Sequence, residues 1–295
     1  MKHIHTQNQM KPTFTIKPAG QFLRKLAITA IFAALWNLAG QAQSTFAVYD
    51  TADSFVLNPG AGNTSAYPNA ASQNFGGMNS RSVASATAHP GNNSANAAKG
   101  EFDSVLRFDL SAAVAALNTE YGVGDWSISA LTLTLNTSST VGNSMFNSPG
   151  TSGSFDISWM SDDGGWVQGT GTQSPASYTG ITYDSLQTTL STTPATLLNS
   201  ASYVAAGTLV PETFSVGVSD ADFLAALLAG DSISLLLTPA DSQVAFNFTS
   251  HSYGGGSNPA LYSPTLTLTV VPEPAPLALL AGGLGLLCVR LRRKL

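Results

Sequence analysis

Ser127-Ile128-Ser129-Ala130-Leu131-Thr132-Leu133-Thr134-Leu135 alternates apolar and polar side chains with a period of two. A strand turns successive side chains to opposite faces, so Leu131, Leu133 and Leu135 share one face. Ile128, Ala130 and the threonines fall on the other. Working outward, the same kind of pattern predicts strands at residues 46–49, 54–57, 104–108 and 155–159. The strand at 155–159 stops at Ser161-Asp162-Asp163-Gly164-Gly165, a turn composition. Further strands are expected at residues 213–218, 232–238, 244–249 and 265–271. Two short helices interrupt them. Ser111 opens one over residues 112–117. Ser219 caps the other over 220–229, with Asp222 completing a capping-box pattern and Gly230 as the stop. Residues 58–100 are polar and rich in Asn, Ser, Ala and Gly, and their middle, 85–99, reads as a surface loop. Many short strands separated by polar turns, without internal repeat, predict an all-β sandwich.

The two ends differ from this body. Lys2, Lys11, Lys17, Arg24 and Lys25 precede an apolar stretch at 26–39, no acid occurs before Asp50, and Gly40-Gln41-Ala42 supplies small residues for cleavage. That order predicts a secretory signal peptide over 1–42, read by the Sec machinery. At the other end Pro272-Glu273-Pro274 leads into fifteen uncharged residues, 275–289, followed by Arg290, Arg292, Arg293 and Lys294. As a transmembrane helix the run spans about 22 Å at ~1.5 Å per residue, and the terminal cations place the C-terminus in the cytoplasm. The predicted organisation is a signal at 1–42, a sandwich body at 43–271 and a tail at 272–295.

Between residues 43 and 271 three bases, Arg81, Lys99 and Arg107, stand against 16 Asp and Glu, a net −13. Nucleic-acid binding needs basic patches that displace counterions, so no nucleic-acid partner is expected. The one cysteine, Cys288, lies in the tail. The body therefore has no disulfide, thiol nucleophile or cysteine-held metal.

Catalytic constellations are not visible. The body has two histidines, His89 beside Pro90-Gly91 and His251 before Gly254-Gly255-Gly256, and both read as polar loop residues. No nucleophile elbow, zinc-protease helix or phosphate loop occurs. Asp162 and Asp163 are candidate ligands for a structural Ca²⁺, as are Asp50 and Asp53. A solvated turn is the favoured account of Asp162 and Asp163. Asp220 and Asp222 are explained as negative charge at a helix N-terminus. Trp159 belongs to the core. Trp166, after a glycine turn, and Tyr178 are the candidate rings for stacking on a sugar, although burial is the more frequent fate of so large a ring.

Pro272-Glu273-Pro274, the glycine-bearing apolar run and the Arg290 to Lys294 cluster together resemble the PEP-CTERM sorting signal of Gram-negative bacteria. That resemblance implies recognition by an exosortase, cleavage near Pro-Glu-Pro, and export in bacteria that make exopolysaccharide. Pro272, Glu273, Pro274, Arg290, Arg292, Arg293 and Lys294 are then sorting residues. The body resembles the DNRLRE-type domain, through Asp53-Ser54-Phe55-Val56, Asn74-Phe75-Gly76, Val105-Leu106-Arg107-Phe108-Asp109-Leu110-Ser111, Trp166-Val167-Gln168-Gly169-Thr170-Gly171 and Pro264-Thr265-Leu266-Thr267-Leu268. This implies a jelly-roll-like fold similar to carbohydrate-binding modules. The resulting expectation is a non-enzymatic surface or matrix protein with exopolysaccharide as a partner. The alternative is a secreted glycoside hydrolase or lyase, which needs two carboxylates about 5 to 9 Å apart across a sugar.

Overall fold

The computed structural model describes residues 43–59, 69–87, 100–138, 146, 152–205, 207–253 and 258–273. The expected signal segment, the tail from Pro274 onward with Arg290, Arg292, Arg293 and Lys294, and His89 lie outside the described residues. Gln43–Glu273 forms one compact unit. It is mostly β-sheet with short helices, in keeping with the all-β expectation. Among the described residues no helix is long and apolar enough to cross a membrane.

The strands are β1 (Ser44–Asn58), β2 (Ser80–Ala84), β3 (Glu101–Asp109), β4 (Trp126–Asn136), β5 (Ser152–Met160), β6 (Thr196–Val204), β7 (Pro211–Val216), β8 (Ser232–Pro239), β9 (Ala245–Thr249) and β10 (Thr265–Pro272). Hydrogen bonding runs in the order β6-β5-β8-β3-β1-β10-β4-β7, with β2 joining β3 to β9. The path nearly closes, because Asn199 Nδ2 on β6 donates to Ser215 O on β7 at 2.8 Å. β1 is one continuous strand where two were expected. Its first half pairs with β10 and its second half with β3, and the register slips between Asp50 and Ala52. The polar run Asp50-Thr51-Ala52-Asp53 therefore marks a bulge, not a break.

The stretch that sets the fold behaves as read, with one exception. Leu131, Leu133 and Leu135 are buried, and Leu133 lies opposite both Leu266 of β10 and Phe214 of β7. Ile128 was expected on the far face but is buried with them. The β4–β10 register slips where Ile128 pairs with Val270 and Ala130 with Thr269, so Ser129 is the extra residue. One bulge residue reverses the alternation upstream of it. A single apolar cluster joins these leucines to Leu106, Phe108, Leu235 and Leu237 of β3 and β8. Phe246 is wedged at its centre, against Phe155, Tyr203, Phe214 and Phe248 with ring centroids 4.8–5.9 Å apart. Large side chains buried this way each contribute about 1.5–3 kcal/mol.

Among the described residues, three helices of nine to eleven residues stand where two were expected. α1 (Ser111–Tyr121) runs a turn beyond its expected end and buries Val114 and Leu117. α2 (Tyr183–Thr192) was not expected, because half of its ten residues are Ser and Thr. It is held by a Thr182–Ser185 capping box and anchored by buried Leu186. In α3 (Ala221–Ala229) the cap is Asp220, not Ser219: its Oδ1 accepts the Phe223 N–H at 2.8 Å. Gly230 ends it with φ 77°, a left-handed value that glycine adopts without strain. A single-turn helix, α4 (Pro259–Tyr262), precedes β10.

Candidate functional site

The bulge in β1 has a chemical consequence. Residues three apart on a regular strand face opposite ways, but the extra residue Thr51 lets Asp50 and Asp53 both turn inward. β2 delivers Arg81 from one side, and the segment following β9 delivers His251 from another. One donor atom from each of Asp50, Asp53 and His251 lies within 4.8 Å of the others.

Arg81 and Asp53 are fully buried, with Arg81 Nη2 2.5 Å from Asp53 Oδ1. Nη2 also donates to Asp53 O at 2.9 Å and Gly76 O at 3.0 Å, while Nη1 donates to Met78 O at 2.6 Å and Ser80 O at 3.1 Å. One guanidinium thus serves four backbone carbonyls of the segment entering β2 and of β1. His251 donates its backbone N–H to Asp53 Oδ2 at 3.0 Å, and its Nδ1 lies 3.1 Å from Asp53 Oδ1. The same Nδ1 is 3.7 Å from Asp50 Oδ2, an ion-pair separation beyond hydrogen-bond length.

Burial pushes the Asp53 carboxyl up, but Arg81 and His251 outweigh it and hold the group below the usual carboxylate range. Asp50 goes the other way. Burial raises it, Asp53 adds to the rise, and His251 only partly opposes it. The carboxylates of Asp50 and Asp53 raise the His251 imidazole well above its ordinary value, against the effect of its own burial. His251 is therefore no free loop histidine, contrary to the expectation from sequence. Neither carboxylate oxygen of Asp50 has a hydrogen-bond partner. Asp50 and His251 line a groove of about 620 Å³ together with Ser263, whose buried hydroxyl also lacks a partner. The groove runs between the first half of β1 and the Ala112, Ala113 and Ala116 face of α1.

The other sequence candidates are arranged differently. Trp166 is not an exposed ring: it is 7% accessible, its Nε1 donates to Ser234 Oγ at 3.0 Å, and the Arg107 guanidinium lies 4.5 Å over its ring. A cation already occupies the face a sugar would use. Asp163 accepts from Arg107 Nη2 at 2.5 Å, Ser234 Oγ at 2.7 Å and the Gly165 N–H at 2.8 Å. Asp162 accepts the Gly164 N–H at 2.9 Å. These two aspartates build and tether a turn, and Asp163 is directed at a guanidinium instead of a Ca²⁺ position. Tyr178 is 58% exposed and lies outside the 340 Å³ cleft that Trp166 and Asp163 line. Trp126 and Trp159 are core residues. The Asp50–Asp53 pair is not a glycosidase arrangement, since both are buried and Asp53 accepts bonds on both oxygens.

Pro272 closes β10 opposite Trp126, and the Glu273 N–H donates to Asp125 O at 2.7 Å. The first two residues of Pro-Glu-Pro are thus continuous with the sheet. Arg81 was absent from the sequence candidates, and no spacing pointed to it: it lies 28 positions from Asp53, and His251 lies 198. No protein-family model matches the chain, and no curated protein matches it.

Proposed function

We propose that this is an exported, non-enzymatic cell-surface or extracellular-matrix protein of a bacterium, with a jelly-roll-like sandwich body. An N-terminal signal helix sends it through the Sec machinery, and an exosortase sorts it through the C-terminal membrane helix and its cationic end. The supporting observation is the span of the body's compact unit. The compact unit begins at Gln43, one residue after the expected signal cleavage point, and ends at Glu273, inside Pro-Glu-Pro. Cuts at Ala42 and beside Pro274 would leave all ten strands intact. A body held together by an apolar core, with no cysteine of its own, also folds independently of the redox state outside the membrane.

Exopolysaccharide is the partner this reading implies, and the burial of Trp166 leaves Tyr178 as the exposed one of the two candidate rings. Mass spectrometry of the protein recovered from the producing cell tests the sorting reading. It should find a new C-terminus near Pro272, Glu273 or Pro274. An intact Leu295 on the released form would overturn it.

A further inference from the structure

Buried polar groups almost always have partners, so unpartnered ones gathered at one place call for a ligand. Both oxygens of Asp50 and the hydroxyl of Ser263 are in that condition, more than nine-tenths buried, and both residues line the same groove as the half-buried His251. Arg81 compensates Asp53 directly. Asp50 has only the imidazole, at ion-pair distance.

We propose that Asp50, Asp53 and His251 bind a divalent metal ion of the zinc class beside this groove, which Asp50 and His251 line. The three donor atoms, within 4.8 Å of one another, need only small side-chain shifts to surround an ion at ~2.0–2.2 Å. One imidazole nitrogen with two carboxylates suits Zn²⁺, whereas Ca²⁺ calls for six to eight oxygens. The ion takes the place of the proton between His251 Nδ1 and Asp53 Oδ1, now 3.1 Å apart, and supplies Asp50 with its missing partner. Arg81 donates to the same Asp53 oxygen and holds it in place, as an outer-shell partner does. The groove, with the Ser263 hydroxyl on its wall, leaves the fourth position open to water or a ligand oxygen. The site would clamp β1 to the segment after β9, 198 residues away, in a body without disulfides.

The test uses the untagged full chain, stripped with chelator and titrated calorimetrically with ZnCl₂ and, in parallel, CaCl₂. Asp50→Asn, His251→Gln and Ser263→Ala are compared with the wild type. One equivalent of Zn²⁺ should bind and raise the Tm, with Ca²⁺ giving no shift at the same concentration. Asp50→Asn and His251→Gln should weaken Zn²⁺ by more than about tenfold and abolish the Tm rise. Ser263→Ala should retain stoichiometric Zn²⁺ and keep the assay informative should the other variants fold poorly. A Co²⁺ derivative of the wild type should show the absorption of a four-coordinate nitrogen–oxygen site. Absence of stoichiometric Zn²⁺, Zn²⁺ binding that survives both ligand substitutions, or preference for Ca²⁺ would each overturn the proposal and leave water as the partner of the orphaned oxygens.

Discussion

Arg81–Asp53 and Arg107–Asp163 are ion pairs of the same length, 2.5 Å, in different surroundings. The first has both side chains fully buried; in the second they are 21% and 23% exposed. Arg81 holds four backbone carbonyls besides its carboxylate, so it organises the chain around it. Arg107 rests on the ring of Trp166 and shares Asp163 with Ser234 and Gly165. Equal geometry does not mean equal energetic weight. Removing one member of a buried pair strands a charge in a poorly solvating interior, while a partly exposed charge is rescued by water.

The sharpest break is therefore Arg81→Met. It leaves Asp53 buried with only His251 for compensation and strips donors from Gly76 O, Met78 O and Ser80 O. Stability in urea should fall by about 3–5 kcal/mol, a large share of a typical domain's ~5–15 kcal/mol. Arg81→Met combined with Asp53→Leu should recover part of that loss, because no charge is then stranded. A drop below about 1 kcal/mol for Arg81→Met alone would erase the distinction between the two pairs.

Asp103 sharpens the comparison as a third case, a buried carboxylate without a salt-bridge cation among the described residues. Its Oδ1 has no hydrogen-bond partner. Burial first, and Glu101 second, push its carboxyl up from 3.8 to about 8. The folded state therefore holds this proton more tightly than the unfolded chain. Its stabilising contribution is complete below pH 3.8 and is lost as pH rises through about 8. Asp103→Asn, which cannot ionise, should be several kcal/mol more stable than the wild type at pH 8, with the difference vanishing below about pH 4. Denaturation curves at the two pH values check the sign, and a constant difference would refute it.

These contrasts also explain what could be read from the chain. Period-two alternation found β4, β5 and β10, because each buries one face and leaves the other polar, whereas β8 is buried on both faces and reads as a short apolar run. β2, in Ser-Arg-Ser-Val-Ala, carries no such alternation, since a charged Arg81 points inward where an apolar residue would be expected. β6 was missed because only Ala201 and Tyr203 are buried along it. Ile128 was assigned to the wrong face because a one-residue bulge is invisible to periodicity. The same holds at the candidate site. Asp50 and Asp53 were named as candidate cation ligands by residue type alone. The bulge that aligns them and the distant Arg81 and His251 that complete the cluster follow from tertiary pairing alone. The glycine turn before Trp166 made it a candidate for exposure, but burial, the more frequent fate of so large a ring, is what Arg107 and Ser234 on neighbouring strands provide.

The smallest expected effect tests the comparison most directly. A double-mutant cycle over Arg107→Ala and Asp163→Ala should give a coupling of no more than about 1 kcal/mol, with the cation–ring contact adding ~0.5–1 kcal/mol to the Arg107 single variant. Trp166 fluorescence should change in Arg107→Ala, because the guanidinium 4.5 Å over the ring is gone. Raising NaCl to 1 M, where the Debye length is about 3 Å, should shrink this coupling by a few tenths of a kcal/mol. The Arg81–Asp53 cycle should be far less sensitive to salt, because both side chains are fully buried. A salt-insensitive Arg107–Asp163 coupling above about 2 kcal/mol would mean that Trp166 and Ser234 exclude solvent as well as a full core does. Burial of the two side chains would then no longer separate the pairs, and the Trp166 loop would have to be counted as a second charged core instead of a tethered turn.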